Sequence, residues 1–164
     1  MAAKDSKERP TKVGRSIIIG VGNPQRGDDS AGLLVSNALR NRVPPGVEVI
    51  DRDGEATNLI DAWTGAESVI LIDAVSSGAP PGFIHEVDAR AATVPSDFFS
   101  CSTHSFGVAE AIELSRALGT LPPRFRIFGI EGAVFEVGAE ISPEAEAAVE
   151  ETVSRVLARI TSFV

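Results

Sequence analysis

The segment SIIIGVGNPQRGDDSAGLLVSNALRNR, residues 16–42, decides how the chain folds. Its opening run, SIIIGV, is apolar, rich in β-branched residues and closed by glycine, the pattern of a buried strand. After the glycine loop the period changes. Ala31, Leu34, Val35, Ala38 and Leu39 recur at helical spacing, and Pro44 and Pro45 end the pattern. The alternation continues outward from there. VEVID reads as a strand, ATNLIDAW as a helix, and SVILID as a buried strand ending at Asp73, followed by the turn region SSGAPPG. GFIHEV is a short strand expected at an antiparallel edge. A helix is expected over Thr103 to Leu118, then the strand RFRIFGI and a loop rich in glycine and glutamate. The last helix has the clearest signals: Ser142 and Pro143 make a cap and first-turn pair, and Val149, Val153, Val156, Leu157 and Ile160 fall on one face. Strands alternating with helices predict an α/β domain, a single twisted and mainly parallel sheet with helices on both faces.

The chain of 164 residues fits one domain, expected over residues 15–164, with residues 1–14 a disordered tail. A domain of this size buries roughly two-thirds of the surface its unfolded chain exposes, enough for a core without covalent staples. The formal charge of −8 argues against nonspecific nucleic-acid binding, which depends on neutralising phosphates. Cys101 is the single cysteine, so no intrachain disulfide and no multi-cysteine zinc site can form, and a reducing cytoplasm is expected. No apolar run approaches the roughly 20 residues of a membrane helix, and the charged start MAAKDSKERPTKVGRS lacks the apolar centre of a signal peptide.

The glycine loop GVGNPQRGDD poses the functional question. Gly22 and Gly27 have the spacing of a P-loop, but Asp28 and Asp29 stand where Lys and Ser or Thr would meet phosphate and magnesium. The dinucleotide fingerprint fails as well, because Gln25 occupies the place of its third glycine. A glycine cradle carrying acids suits a cation. Either aspartate alone could serve as a helix cap, yet two adjacent acids exceed what capping needs. In open sheets of this class ligands sit beyond the carboxyl ends of the strands. Asp73, after VILI, and His104, in SCSTHSFG, belong to two further loops at that edge. Asp73 has a turn or cap as its plainer role, and His104 a capping or packing one. His85, alternating with Phe83, Ile84 and Val87, is expected to face solvent and is set aside.

Asp29, Asp73 and His104 together offer two oxygens and one imidazole nitrogen, a donor set that takes nickel, zinc, manganese or iron, and that suits calcium less well. Nucleophile readings are weaker. Ser100, Ser102 and Ser105 flank His104 too closely for a triad, there is no GxSxG elbow, and Cys101 carries no sign of activation.

GVGNPQRGDDSAG after the first strand, VILIDAV with Asp73 and STHSFG with His104 occur in an order that resembles the hydrogenase maturation proteases. The similarity spans roughly Ser16 to Ala158. It implies a twisted α/β sheet with helices on both faces. It further implies an endopeptidase that removes a short C-terminal extension from the large-subunit precursor of a nickel-iron hydrogenase after nickel insertion. In that family an acid of the glycine loop, an acid at a strand end and a histidine before a helix recognise nickel; carried over, these are Asp29, Asp73 and His104. The nickel would be supplied by the precursor, and no cofactor of the protein's own is demanded. The first position is Glu in some relatives and Asp here, one methylene shorter. Ser30 stands where many relatives have Gly, and DRDGEATN keeps only Asp53, Gly54 and Thr57 of an Asp-Gly-Gly-Thr-like loop, leaving Asp53 and Glu55 as further candidates. Two other classes are compatible with the same residues: a nickel-dependent assembly factor without hydrolysis, and a small-molecule metallohydrolase holding its own metal.

Overall fold

A computed structural model describes residues 14–99 and 106–163. The elements run β1 (Ser16–Val21), a 3-10 turn (Gly27–Ser30), α1 (Ala31–Leu39), β2 (Val47–Arg52), α2 (Ala56–Trp63) and β3 (Ser68–Val75). They continue with β4 (Ile84–Asp88), α3 (Val108–Ala117), β5 (Arg124–Glu131) and α4 (Pro143–Thr161). The strands form one sheet in the order β2-β1-β3-β5-β4. All neighbours are parallel except β4, which pairs antiparallel with β5 at the edge, as GFIHEV predicted.

The continuous apolar runs of β1 and β3 follow from burial on both faces. Side chains alternate across a strand. Ile17, Ile19, Val69 and Leu71 therefore enter one core, with α2 and α3, while Ile18, Ile70 and Ile72 enter the other, with α1 and α4. A strand covered on both sides has no polar face to show, so its sequence does not alternate. In the first core Trp63 is fully buried, its indole N–H donates to Ser115 Oγ at 3.1 Å, and its ring meets Phe125 edge-on at 5.0 Å. That pairing ties α2 to α3 and to β5 together. In the second core Ala145, Val149, Val153, Val156 and Ile160 of α4 pack against Ile18, Ile70 and Phe128. Ser142 is the cap of α4, accepting from the Ala145 N–H at 3.3 Å, with Pro143 at the first helical position.

Several boundaries differ from expectation. β3 does not stop at Asp73 but continues to Val75, because β5 keeps pairing with it as far as Glu131. α3 begins at Val108 rather than Thr103. Gly107 is extended (φ −116°, ψ −149°) and its N–H is taken by the Glu110 side chain at 3.1 Å, which fixes the helix start there; Thr103 lies outside the described residues. α1 ends at Leu39, ahead of the two prolines, and Leu34, expected in its apolar stripe, is 40% exposed.

Candidate functional site

The carboxyl ends of β1, β2, β3 and β5 meet along one edge of the sheet, and the loop from Gly22 to Ser30 lies across it. Two glycines let the loop approach so closely. A Cβ on Gly22, whose φ is +155°, would stand 1.9 Å from the Asp29 carbonyl oxygen. A Cβ on Gly32 would stand 2.4 Å from the carbonyl oxygens of both Val21 and Ile72, so α1 starts wedged between the ends of β1 and β3. The glycines of this loop serve packing of backbone on backbone, not a phosphate.

The adjacent aspartates have different tasks, and neither caps a helix: Arg26 stands at the cap of the 3-10 turn and Ser30 at that of α1. Asp28 is fully buried and points back into the protein. Its carboxylate accepts from the N–H groups of Ala133 (2.7 Å), Val134 (3.1 Å) and Ser142 (2.7 Å), and from the Ser142 hydroxyl (2.9 Å). Burial pushes the Asp28 carboxyl up, but these bonds outweigh it and hold the group below the usual carboxylate range. Asp28 thus anchors the loop after β5 and the start of α4 to the glycine loop. Backbone bonds reinforce the junction: Asp28 N–H to Val134 O (2.7 Å), Gly27 N–H to Ala139 O (3.1 Å) and Gly138 N–H to Gln25 O (2.7 Å).

Asp29 turns the other way. It is 8% exposed, accepts from the Asn23 N–H at 3.1 Å and lies 3.9 Å from the Arg26 guanidinium. Asp73, on central strand β3, is 4% exposed. Burial raises its carboxyl well above the ordinary range, the negative charge of Asp29 raises it further, and a hydrogen bond from the Ala74 N–H opposes them only in part. The structure therefore brings Asp29 and Asp73 within each other's field at the carboxyl edge. Two carboxylates so placed repel one another, and a divalent cation between them would relieve that repulsion.

His104 lies outside the described residues. The chain on either side of that segment is held at the same edge: Phe98 O accepts from the Ser76 N–H at 3.4 Å, and Phe106 O accepts from the Ala56 N–H at 3.1 Å. Among the described residues no group of three or more His, Cys, Asp and Glu side chains is arranged to hold a metal. Asp53 and Glu55 are occupied locally. Glu55 caps α2 by accepting from the N–H groups of Thr57 and Asn58, both at 3.1 Å, and Asp53 accepts from the Glu55 N–H at 3.0 Å.

His85 does not face solvent as expected. Its Nε2 lies 3.0 Å from Glu131 Oε2 and 3.3 Å from Ser77 Oγ, and its ring packs between Phe83 and Phe98. Glu131, 2% exposed, also accepts from the N–H groups of Ser77 (2.7 Å) and Gly78 (3.0 Å) and from the Ser77 hydroxyl (2.8 Å). This is no catalytic triad. One imidazole nitrogen meets both partners, and the serine proton goes to the carboxylate. The cluster clamps the loop after β3 to β4 and β5. Sequence reasoning missed it because Glu131 ends an apolar strand and meets Ser77 only through the β3–β5 pairing.

An open, mainly parallel sheet with two buried acids at its carboxyl edge places the chain among α/β proteins whose chemistry lies where the strands end. The family described as hydrogenase maturation protease, HycI, matches residues 33–159, and the chain belongs to that family of peptide-bond hydrolases. It is 28% identical over 150 residues to the hydrogenase 2 maturation protease of Escherichia coli K12, covering 89% of this chain and 90% of that one. It is 22% identical over 150 residues to the hydrogenase expression/formation protein HupD of Thiocapsa roseopersicina, covering 90% of this chain and 68% of that one. Among solved structures, an endopeptidase from Escherichia coli superposes with a TM-score of 0.76 at 28% identity, covering 87% of this chain and 90% of that one. The fold is shared with the hydrogenase maturating endopeptidase HybD from E. coli, with a TM-score of 0.76 at 24% identity, over 90% of this chain and 93% of that one.

Proposed function

We propose that this protease removes a C-terminal extension from the large-subunit precursor of a nickel-iron hydrogenase once nickel is in place, with Asp29, Asp73 and His104 recognising the metal. Nickel arrives with the precursor as part of the substrate. The observation that supports the reading most is the pairing of Asp29 with Asp73: a carboxylate raised by its burial and further by its neighbour's charge is a poor resting arrangement and a good receptor for a cation. His104 adds the nitrogen donor that turns an oxygen pair into a set suited to nickel. Nickel held there would supply Lewis-acid polarisation of a carbonyl or a more acidic water. Asp28 and the crowded glycine loop hold Asp29 in place, so recognition occurs without rebuilding the loop. Metal insertion then licenses cleavage. The compartment in this reading is the cytoplasm, where a lone cysteine stays reduced.

The test is to incubate the protein with a hydrogenase large-subunit precursor, with and without inserted nickel, and to follow the precursor's C-terminus by mass spectrometry. Loss of a short peptide from the loaded precursor only, abolished by Asp29→Asn and by His104→Ala, is expected. Loaded precursor that binds but stays intact would point to an assembly factor. Nickel copurifying at about one ion per chain, with turnover of small substrates, would point to a metallohydrolase.

A further inference from the structure

A groove of about 600 Å³ runs between the start of α1 and the segment leading into α4. Pro24, Gly27 and Ser30 form its upper end, Leu33 and Leu34 one wall, and Ile141 the other, with Glu140 and Glu146 on the rim. We infer that this groove seats an extended stretch of the substrate precursor carrying an apolar side chain beside a lysine or arginine. The inference rests on the proteolytic reading above and names how the substrate is held there.

Three observations carry it. The first is continuity: Pro24, Gly27 and Ser30 belong to the loop that bears Asp29, and Leu33 lies 3.7 Å from the position of a Gly22 Cβ, so the groove abuts the glycine loop. The second is charge. Neither the Glu140 nor the Glu146 side chain has a hydrogen-bonding or ionic partner among the described residues, in a protein of net charge −8, so a basic side chain laid over the rim meets two carboxylates with no competitor. The third is rigidity. The walls are tied by Gly27 N–H to Ala139 O and Gly138 N–H to Gln25 O, and Asp28 holds the segment from below. A groove formed in advance spends little binding free energy on ordering itself. Leu34, 40% exposed on a helix that buries Ala31, Val35 and Leu39, is the apolar anchor point.

The groove is tested with nickel-loaded precursor, by measuring cleavage kinetics and, separately, equilibrium binding. Leu34→Asp and the double variant Glu140→Lys with Glu146→Lys alter exposed or rim positions, and circular dichroism checks that they fold. Each is expected to raise KM and Kd about tenfold, the scale of one lost anchor, with kcat within about twofold. The wild-type KM should also rise with ionic strength, and the double variant should lose that dependence. Unchanged KM and Kd in both variants would overturn the groove and leave the protease intact. Wild-type protein that binds loaded precursor without cleaving it sinks the proteolytic reading alone, since Kd still reports on the groove. No binding of loaded precursor at all would overturn both.

Discussion

Gly22 and Asp29 touch backbone to backbone: a side-chain carbon at Gly22 would lie 1.9 Å from the Asp29 carbonyl oxygen. Gly22→Ala therefore has to move the segment that carries Asp29, the first carboxylate of the candidate site. The expected result is a loss of about 1–3 kcal/mol in stability, from strain at a glycine-only φ, with cleavage of loaded precursor falling far more than that destabilisation explains. Denaturant unfolding set against cleavage rate checks it. Full activity in Gly22→Ala would mean that the position of Asp29 is not critical.

Asp73 is held against its own preference, and its removal should stabilise the metal-free protein. Its folded pKa is raised above the ordinary 3.8, so folding disfavours the charged form. The sign follows: the penalty is absent below about pH 4, grows as pH rises through the folded value, and is complete above it. Asp73→Asn should unfold at higher temperature than wild type at neutral pH, by about 2–4 °C for each kcal/mol regained. The difference should close in acid. The same variant should not cleave. A wild-type Tm equal to or above that of Asp73→Asn at neutral pH would contradict this account.

Asp28 has the opposite sign. Its carboxyl is lowered by the hydrogen bonds it accepts, so its contribution is present above about pH 4 and is lost as pH falls through the folded value. Asp28→Ala leaves the buried N–H of Ser142 and the N–H groups of Ala133 and Val134 without their acceptor and should cost about 3 kcal/mol near neutrality, with a smaller gap to wild type in acid. Paired urea titrations at two pH values measure both effects.

The Glu131 clamp predicts a local effect. Glu131→Ala removes the acceptor for the Ser77 and Gly78 N–H groups, and amide exchange at those two residues should accelerate by tenfold or more while the β1 amides keep their protection. His85→Ala, which leaves those two bonds in place, should raise exchange much less. Equal acceleration in both variants would show that the imidazole, not the carboxylate, holds the loop.

The alternation of apolar runs and helical periods was enough to read the sheet, its mainly parallel direction and the antiparallel edge at GFIHEV, because those features depend on local period and on turn residues. The strand after which Asp73 was expected was legible, but its end was not: VILI marks a buried run, and nothing local shows that pairing with β5 carries the strand two residues beyond Asp73. Local pattern could not separate Asp28 from Asp29. Their difference depends on residues 133 to 142, which sequence spacing does not bring near. The same holds for His85, which follows the alternation of a solvent-facing residue yet meets Glu131 from the neighbouring strand. The start of α3 was placed too early because the extended Gly107 carries no apolar signal to mark it.

The bond between Asp28 and Ser142 has a consequence for the order in which the molecule comes into being. It joins positions 114 apart in the chain, whereas β1 and α1 are neighbours that can pair as soon as both are made. During synthesis the first strands and helices emerge and can fold while Ser142 is still inside the ribosome. The glycine loop then has its shape but not its fastening. A nascent or truncated chain can look folded by its sheet and still lack a settled Asp29, so under the proposed role of Asp29 competence to meet a substrate comes only with docking of the last helix.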